Sequence, residues 1–120
     1  MKFINISNHI LTQEQIEDIK KVLNTQEIEI IELPQDIKLQ WGNLTPDNYE
    51  QVCERIIKYM KDNEIEHAHL AGFTPAVVYM VTCSWSYFFY SYSERVSEEK
   101  EVNGEIIKTS IFKHKGWYKY

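Results

Sequence analysis

Apolar residues recur along this chain with two different periods, and the switches between them divide it into elements. Lys2-Phe3-Ile4-Asn5-Ile6 predicts a strand that runs directly into Ser7-Asn8-His9. A helix then opens at Thr12, which with Gln15 forms a capping box, and carries Ile16, Ile19, Val22 and Leu23 on one stripe. Glu27 to Leu33 alternates acid and apolar residues and predicts a second strand, stopped by Pro34. Gln35 to Leu44 reads as a connecting loop holding Trp41. Thr45-Pro46 predicts a helix start, with threonine as cap and proline at the first helical position, ahead of the stripe Tyr49, Val52, Ile56 and Met60. Ile65 to Ala71 predicts a third strand. Gly72-Phe73-Thr74-Pro75 repeats the cap-then-proline signal before a helix apolar enough to be covered on most sides.

From Tyr87 onward serine alternates with tyrosine and phenylalanine, charges follow, and Asn103-Gly104 gives a two-residue hairpin turn. With those two residues at its centre, Glu99 falls opposite Lys108 and Glu94 opposite Lys113, pairs of opposite charge that support the register. The order β-α-β-α-β-α followed by a long hairpin predicts a single α/β domain over residues 1–120, with a mainly parallel sheet and right-handed crossovers. In the common strand order 2-1-3, the ends of the first and third strands lie side by side at the switch point, where open α/β sheets bind ligands. Ser7-Asn8-His9 and Gly72-Phe73-Thr74 are then expected to face one another.

Composition narrows the partners. Lys and Arg number 13 against 18 Asp and Glu, which argues against a bulk binder of duplex DNA. The tail departs from this balance: Lys108, Lys113, Lys115 and Lys119 face one acid, Glu105, which suggests a local anion site on an acidic body. Cys53 and Cys83 show no CxxC spacing and read as buried, reduced thiols of a cytoplasmic protein. His67 to Ser93 lacks Asp, Glu, Lys and Arg, but Gly72, Thr74, Pro75 and several serines break it into runs well short of the ~20 residues a membrane span needs. No membrane association is expected.

Several side chains are candidates for chemistry. His9 could be a general acid or base, because an unperturbed imidazole titrates near ~6.5, and Ser7 and Asn8 can donate to phosphate or base edges. Gly72 removes the side chain that would keep a phosphate from the unpaired amides of the following helix, with Thr74 beside it. Both are equally accounted for as turn and cap residues. Phe112 to Tyr120 interleaves cations with rings, as nucleotide sites do, or guards a hairpin edge with lysines. Arg95 could clamp a phosphate or pair with a glutamate. Trp41 could stack on a base or pack in the core. His67 and His69 share a strand face, but two histidines without a third ligand do not make a zinc site; no metal and no cofactor are expected.

Asn8-His9-x-Leu11-Thr12, Leu33-Pro34 with Leu39-Gln40-Trp41-x-Asn43 and Pro46, and Glu94-Arg95-Val96 to Lys108-Thr109-Ser110-Ile111-Phe112-Lys113-His114 together resemble a known group. It is the small stand-alone CRISPR-associated proteins of type III systems, with a Rossmann-like, CARF-related three-layer fold, proposed to act as ring nucleases in antiviral defence. The resemblance implies a homodimer that binds a cyclic oligoadenylate, cyclic tetra-adenylate first among them, and cuts it. It implies a metal-independent phosphodiesterase in which the ribose 2′-hydroxyl attacks its own phosphate and leaves linear products ending in 2′,3′-cyclic phosphate. Ser7, Asn8, Thr12, Trp41, Gly72, Phe73 and Thr74 would hold the ring, Arg95 and Lys113 would stabilise phosphate charge, and His9 or His114 would handle the proton. A protein that binds or sequesters the messenger without cutting it is the alternative.

Overall fold

The computed structural model describes the whole chain, Met1 to Tyr120. Strand β1 (Lys2–Ile6) leads through helix α1 (Gln13–Val22) to strand β2 (Glu29–Glu32), then helices α2 (Gln35–Trp41) and α3 (Tyr49–Asp62). Strand β3 (His67–Leu70), helix α4 (Thr74–Cys83) and the long strands β4 (Tyr87–Val102) and β5 (Glu105–Lys119) follow. They form a mixed α/β fold around one five-stranded sheet of order β2-β1-β3-β4-β5. Strand β1 is parallel to β2 and β3, and β3 is parallel to β4, whereas β5 is antiparallel to β4. The expected order 2-1-3 is therefore present, and the carboxyl ends of β1 and β3 touch: the Ala71 amide donates to the Ile6 carbonyl at 3.0 Å.

The expectation of a mainly parallel sheet is corrected, because the β4–β5 ladder holds more residue pairs than the three parallel ladders together. Each parallel strand ends where its crossover begins, while a hairpin needs only its turn and can run on. Asn103 and Gly104 both have positive φ, 53° and 81°, as the tight turn requires, and Glu99 pairs with Lys108 and Glu94 with Lys113 in the expected register.

Alternation along the strands sends side chains to two unlike faces. Ile4, Ile6, Ala68, Leu70 and Phe88 meet α2, α3 and α4 in a core of 16 buried residues. Fully burying one such side chain, Ile56 or Met60 of α3 for example, is worth about 1.5–3 kcal/mol. Phe3, Phe89 and Trp117 project the other way, against Leu11 and Ile19 beneath α1, in a cluster of five.

Four local expectations are corrected. The segment read as a loop after β2 contains α2, whose Ile37 and Trp41, one helical turn apart, are both buried although no side chain caps its start. Thr45 opens a turn ahead of α3, where the Asn48 Oδ1 accepts from the Thr45 amide at 2.7 Å and the helix begins at Tyr49. Phe73 occupies the cap position of α4, and Thr74 and Pro75 are its first helical residues. That helix is not covered on most sides: Ala76 and Met80 are buried, while Val78 is 56% exposed and Cys83, unlike buried Cys53, also faces out. Its one packed side lies against α3. No helix is long and apolar enough to cross a membrane.

Candidate functional site

On the α1 face of the sheet the residue after Phe3 in alternation is Asn5, and the next is Ser7; both are fully buried. A polar amide there is retained because each of its hydrogen-bonding atoms finds a partner. Asn5 Nδ2 donates to the His9 carbonyl at 2.6 Å and to the Glu32 carboxylate at 3.3 Å. Asn5 Oδ1 lies 2.7 Å from Ser7 Oγ and 2.9 Å from His69 Nδ1. Ser7 Oγ also accepts from the His9 amide at 3.2 Å, so the polar turn after β1 is pinned to the sheet beneath it. Burial, aided by electrostatic repulsion from His9, pushes the His69 pKa down to about 4.

A second polar group hangs between α1 and the hairpin. His114 Nε2 donates to Asp18 Oδ2 at 2.8 Å, and its Nδ1 lies 2.7 Å from Ser91 Oγ. Gln15 Nε2 donates to the same hydroxyl at 3.0 Å while its Oε1 accepts from the Thr12 amide, so the capping box of α1 also positions Ser91. A bulge makes this possible. Ser91 pairs with Trp117, Tyr92 with Gly116 and Ser93 with His114, so Lys115 is the extra residue. Trp117 and His114 stand three apart and would otherwise point to opposite faces; the bulge turns both toward α1. The Trp117 ring then lies 5.0 Å from that of His69 and 5.6 Å from that of His114, with its Nε1 donating to the Gln15 carbonyl.

These elements enclose an open cavity of about 480 Å³ at the carboxyl ends of β1 and β3. His9, Ile10, Leu11, Thr12 and Gln15 form its α1 side. The sheet contributes His69 and Ala71, and the hairpin Ser91, Ser93, Phe112 and His114.

Of the residues singled out in the sequence, His9, Thr12 and His114 line this cavity, and Ser7 lies buried just under it. Asn8 is exposed and rests beside Gly42, outside the lining. Gly72, Phe73 and Thr74 do not reach the cavity; Ala71 is the member of that segment that does. A Cβ on Gly72 would stand 2.9 Å from Trp41 Nε1, so the bare side of the glycine is filled by an indole and does not cradle a phosphate. Trp41 is 2% exposed and donates to the Ala71 carbonyl at 3.0 Å, which leaves no ring face for a base. Phe73 packs edge-on against Tyr49. Arg95 is not a lining residue; it pairs with Phe112 across the hairpin and lies 5.1 Å above that lining ring. Lys113, one residue from His114, alternates to the opposite face and cannot join it in this site.

Asn5, Gln15, Asp18, Ser91 and the site role of His69 were not anticipated. Asn5 gave a readable signal, a lone polar residue inside an apolar strand. The partnership of Asp18 and Ser91 with His114 had none, because it depends on a bulge. His67 stacks on Tyr87 at 5.2 Å, and no cluster of three or more His, Cys, Asp or Glu suited to a metal ion is present.

A family model described as the uncharacterized protein MJ1673 family matches residues 1–118. Uncharacterized protein MJ1673 of Methanocaldococcus jannaschii is 30% identical over 128 residues, an alignment that covers 99% of this chain and 96% of that protein. No solved structure matches. With nearly its whole length matched on both counts, the chain belongs to the MJ1673 family.

Proposed function

We propose that the cavity binds one adenylate of a cyclic oligoadenylate, with cyclic tetra-adenylate the first ligand to test, and that the protein cleaves this ring. The observation that carries the reading is the meeting of three imidazoles, His9, His69 and His114, with the hydroxyls of Thr12, Ser91 and Ser93 in one cavity at the strand ends. Strand order 2-1-3 with helices on both faces supports a Rossmann-like, CARF-related fold for it. At about 480 Å³ the cavity has room for one nucleotide, not a whole ring. A two-fold homodimer, presenting the same patch twice to a symmetric ring, supplies the rest.

Internal attack by the ribose 2′-hydroxyl needs that oxygen held in line with the phosphorus and the developing charge stabilised. Asp18 orients His114, Ser91 contacts its other nitrogen, and Arg95, above the Phe112 ring that lines the cavity, would meet phosphate. One observation favours the non-catalytic alternative: both His114 nitrogens already have partners within the chain. Incubation with cyclic tetra-adenylate in EDTA, followed by chromatography, is expected to give linear adenylates ending in 2′,3′-cyclic phosphate. An intact ring bound tightly would mean a binder, and no binding with no rise in melting temperature would defeat both readings.

A further inference from the structure

We infer that His69 holds a bare Nε2 at the cavity floor as a fixed hydrogen-bond acceptor, and that this atom selects ligands carrying a ribose 2′-hydroxyl. The choice of a ribose ligand rests on the nucleotide reading above; the state of His69 follows from the chain alone. The His9 carbonyl and the Glu32 carboxylate have no proton to give, so the Asn5 atom facing them is the NH₂ group. Asn5 Oδ1 is therefore the atom that faces His69, and it can only accept. The proton consequently sits on His69 Nδ1, and in the neutral ring Nε2 carries a lone pair.

The surroundings keep that ring neutral and fixed. His69 is 6% exposed, its edge meets Trp117, and burial holds it unprotonated at neutral pH. The titratable groups about it are His9 on the turn, Glu32 of β2 reached through Asn5, and His114 of β5, paired with Asp18, reached through Trp117. No side-chain nitrogen or oxygen that is sealed from solvent lacks a partner, and His69 Nε2 has none within the chain. It is thus the atom by which His69 opens on the cavity. Ile10 and Phe112, 80% and 70% exposed, stand at the mouth and suit a base, while His69, held by buried Asn5, suits a sugar. A hydroxyl donor there satisfies Nε2; a deoxyribose leaves a nearly buried acceptor dry and unpaired.

The probes are adenosine 3′-monophosphate and its 2′-deoxy counterpart, which contain no ring to cut. The wild-type protein is expected to bind the ribonucleotide about 10- to 100-fold more tightly. His69→Asn keeps an N–H where Nδ1 faces Asn5 and deletes Nε2. It is expected to reduce the preference to less than about twofold with little change in melting temperature. Equal binding of the two probes, binding of neither at millimolar concentration, or a preference that survives His69→Asn would overturn the inference. Nitrogen NMR of the ligand-free wild type gives a reading independent of any variant: a neutral ring protonated at Nδ1 at pH 7 is expected, and protonation at Nε2 would overturn it. Failure of the ring-cleavage reading looks different, with cyclic tetra-adenylate left intact while the ribose preference and the tautomer persist.

Discussion

The two faces of the sheet are built from the same strands and differ in everything that alternation can change. Toward α2, α3 and α4 the strands present Ile4, Ile6, Ala68, Leu70 and Phe88, and the resulting core contains no buried charged or amide side chain. Toward α1 they present apolar Phe3, Phe89 and Trp117 where the parallel strands begin, and polar Asn5, Ser7, His69 and Ser91 farther along. Three helices cover the first face, whereas one ten-residue helix covers the second and leaves its polar end open. Apolar packing is concentrated on one side of the sheet and hydrogen-bonding side chains on the other, and neighbouring residues in a single strand face different surroundings.

Ile4 and Asn5 test that division most directly. Both are fully buried in β1, one facing each way. Ile4→Ala removes apolar volume from the larger core and is expected to cost about 4 kcal/mol in urea unfolding, with the ligand preference of the remaining folded protein unchanged. A cost below about 1 kcal/mol would mean that the covered face is not the main source of stability.

Acid should act through the open face. The folded His69 pKa of about 4 lies below the ordinary value of about 6.5, so between those pH values the unfolded chain binds the extra proton. The stabilising contribution is complete above pH 6.5 and declines by about 1.4 kcal/mol per pH unit as pH falls, to a total of about 3 kcal/mol near pH 4. Subtracting the profile of His69→Asn from that of wild type isolates this contribution from those of His67 and the carboxylates. A flat difference between pH 7 and pH 4 would contradict a neutral, buried His69.

Asn5→Ala is the third step down. It strips a partner from Ser7 Oγ, His69 Nδ1 and the His9 carbonyl, and is expected to cost about 2 kcal/mol, less than its neighbour Ile4. Unlike Ile4→Ala, it should also abolish the preference for ribose, because nothing then fixes the proton on Nδ1. Retained preference would separate Asn5 from the binding chemistry.

How much of this was legible in the sequence follows the range of the interactions. The α1 capping box, β1 and the Glu99–Lys108 register rest on near neighbours or on a turn, and they were readable. Helix α2 was missed because seven residues with no side-chain cap offer little more than the pair Ile37 and Trp41. The exposure of α4 escaped because apolar composition does not say whether a neighbour arrives to cover it. At the site, His9, Thr12 and His114 were found from residue type and position. The bonds that give the histidines their settings link His69 to Asn5 across 64 positions and His114 to Asp18 across 96, and local patterns carry no trace of them. Gly72 and Trp41 each carried a ligand reading beside a turn or packing one, and nothing local showed that the two pack against each other in the core.

The smallest effect is the finest test of facing. Lys113 and His114 are consecutive, yet Ser93 is the partner of His114 and Glu94 that of Lys113, so the lysine projects away from the cavity. Arg95, opposite Phe112, shares the cavity side. An exposed charge beside a binding site is worth about 0.4–1 kcal/mol at low salt, so Arg95→Ala should weaken adenosine 3′-monophosphate by about two- to fivefold, with the difference fading as salt is raised. Lys113→Ala, the same loss of one positive charge one cross-strand step away, should change affinity by less than about twofold. Net charge alone would make the two variants equal, so titrating both separates a located contact from general attraction. Equal weakening would show that the bulge at Lys115 does not set which hairpin side chains meet the ligand.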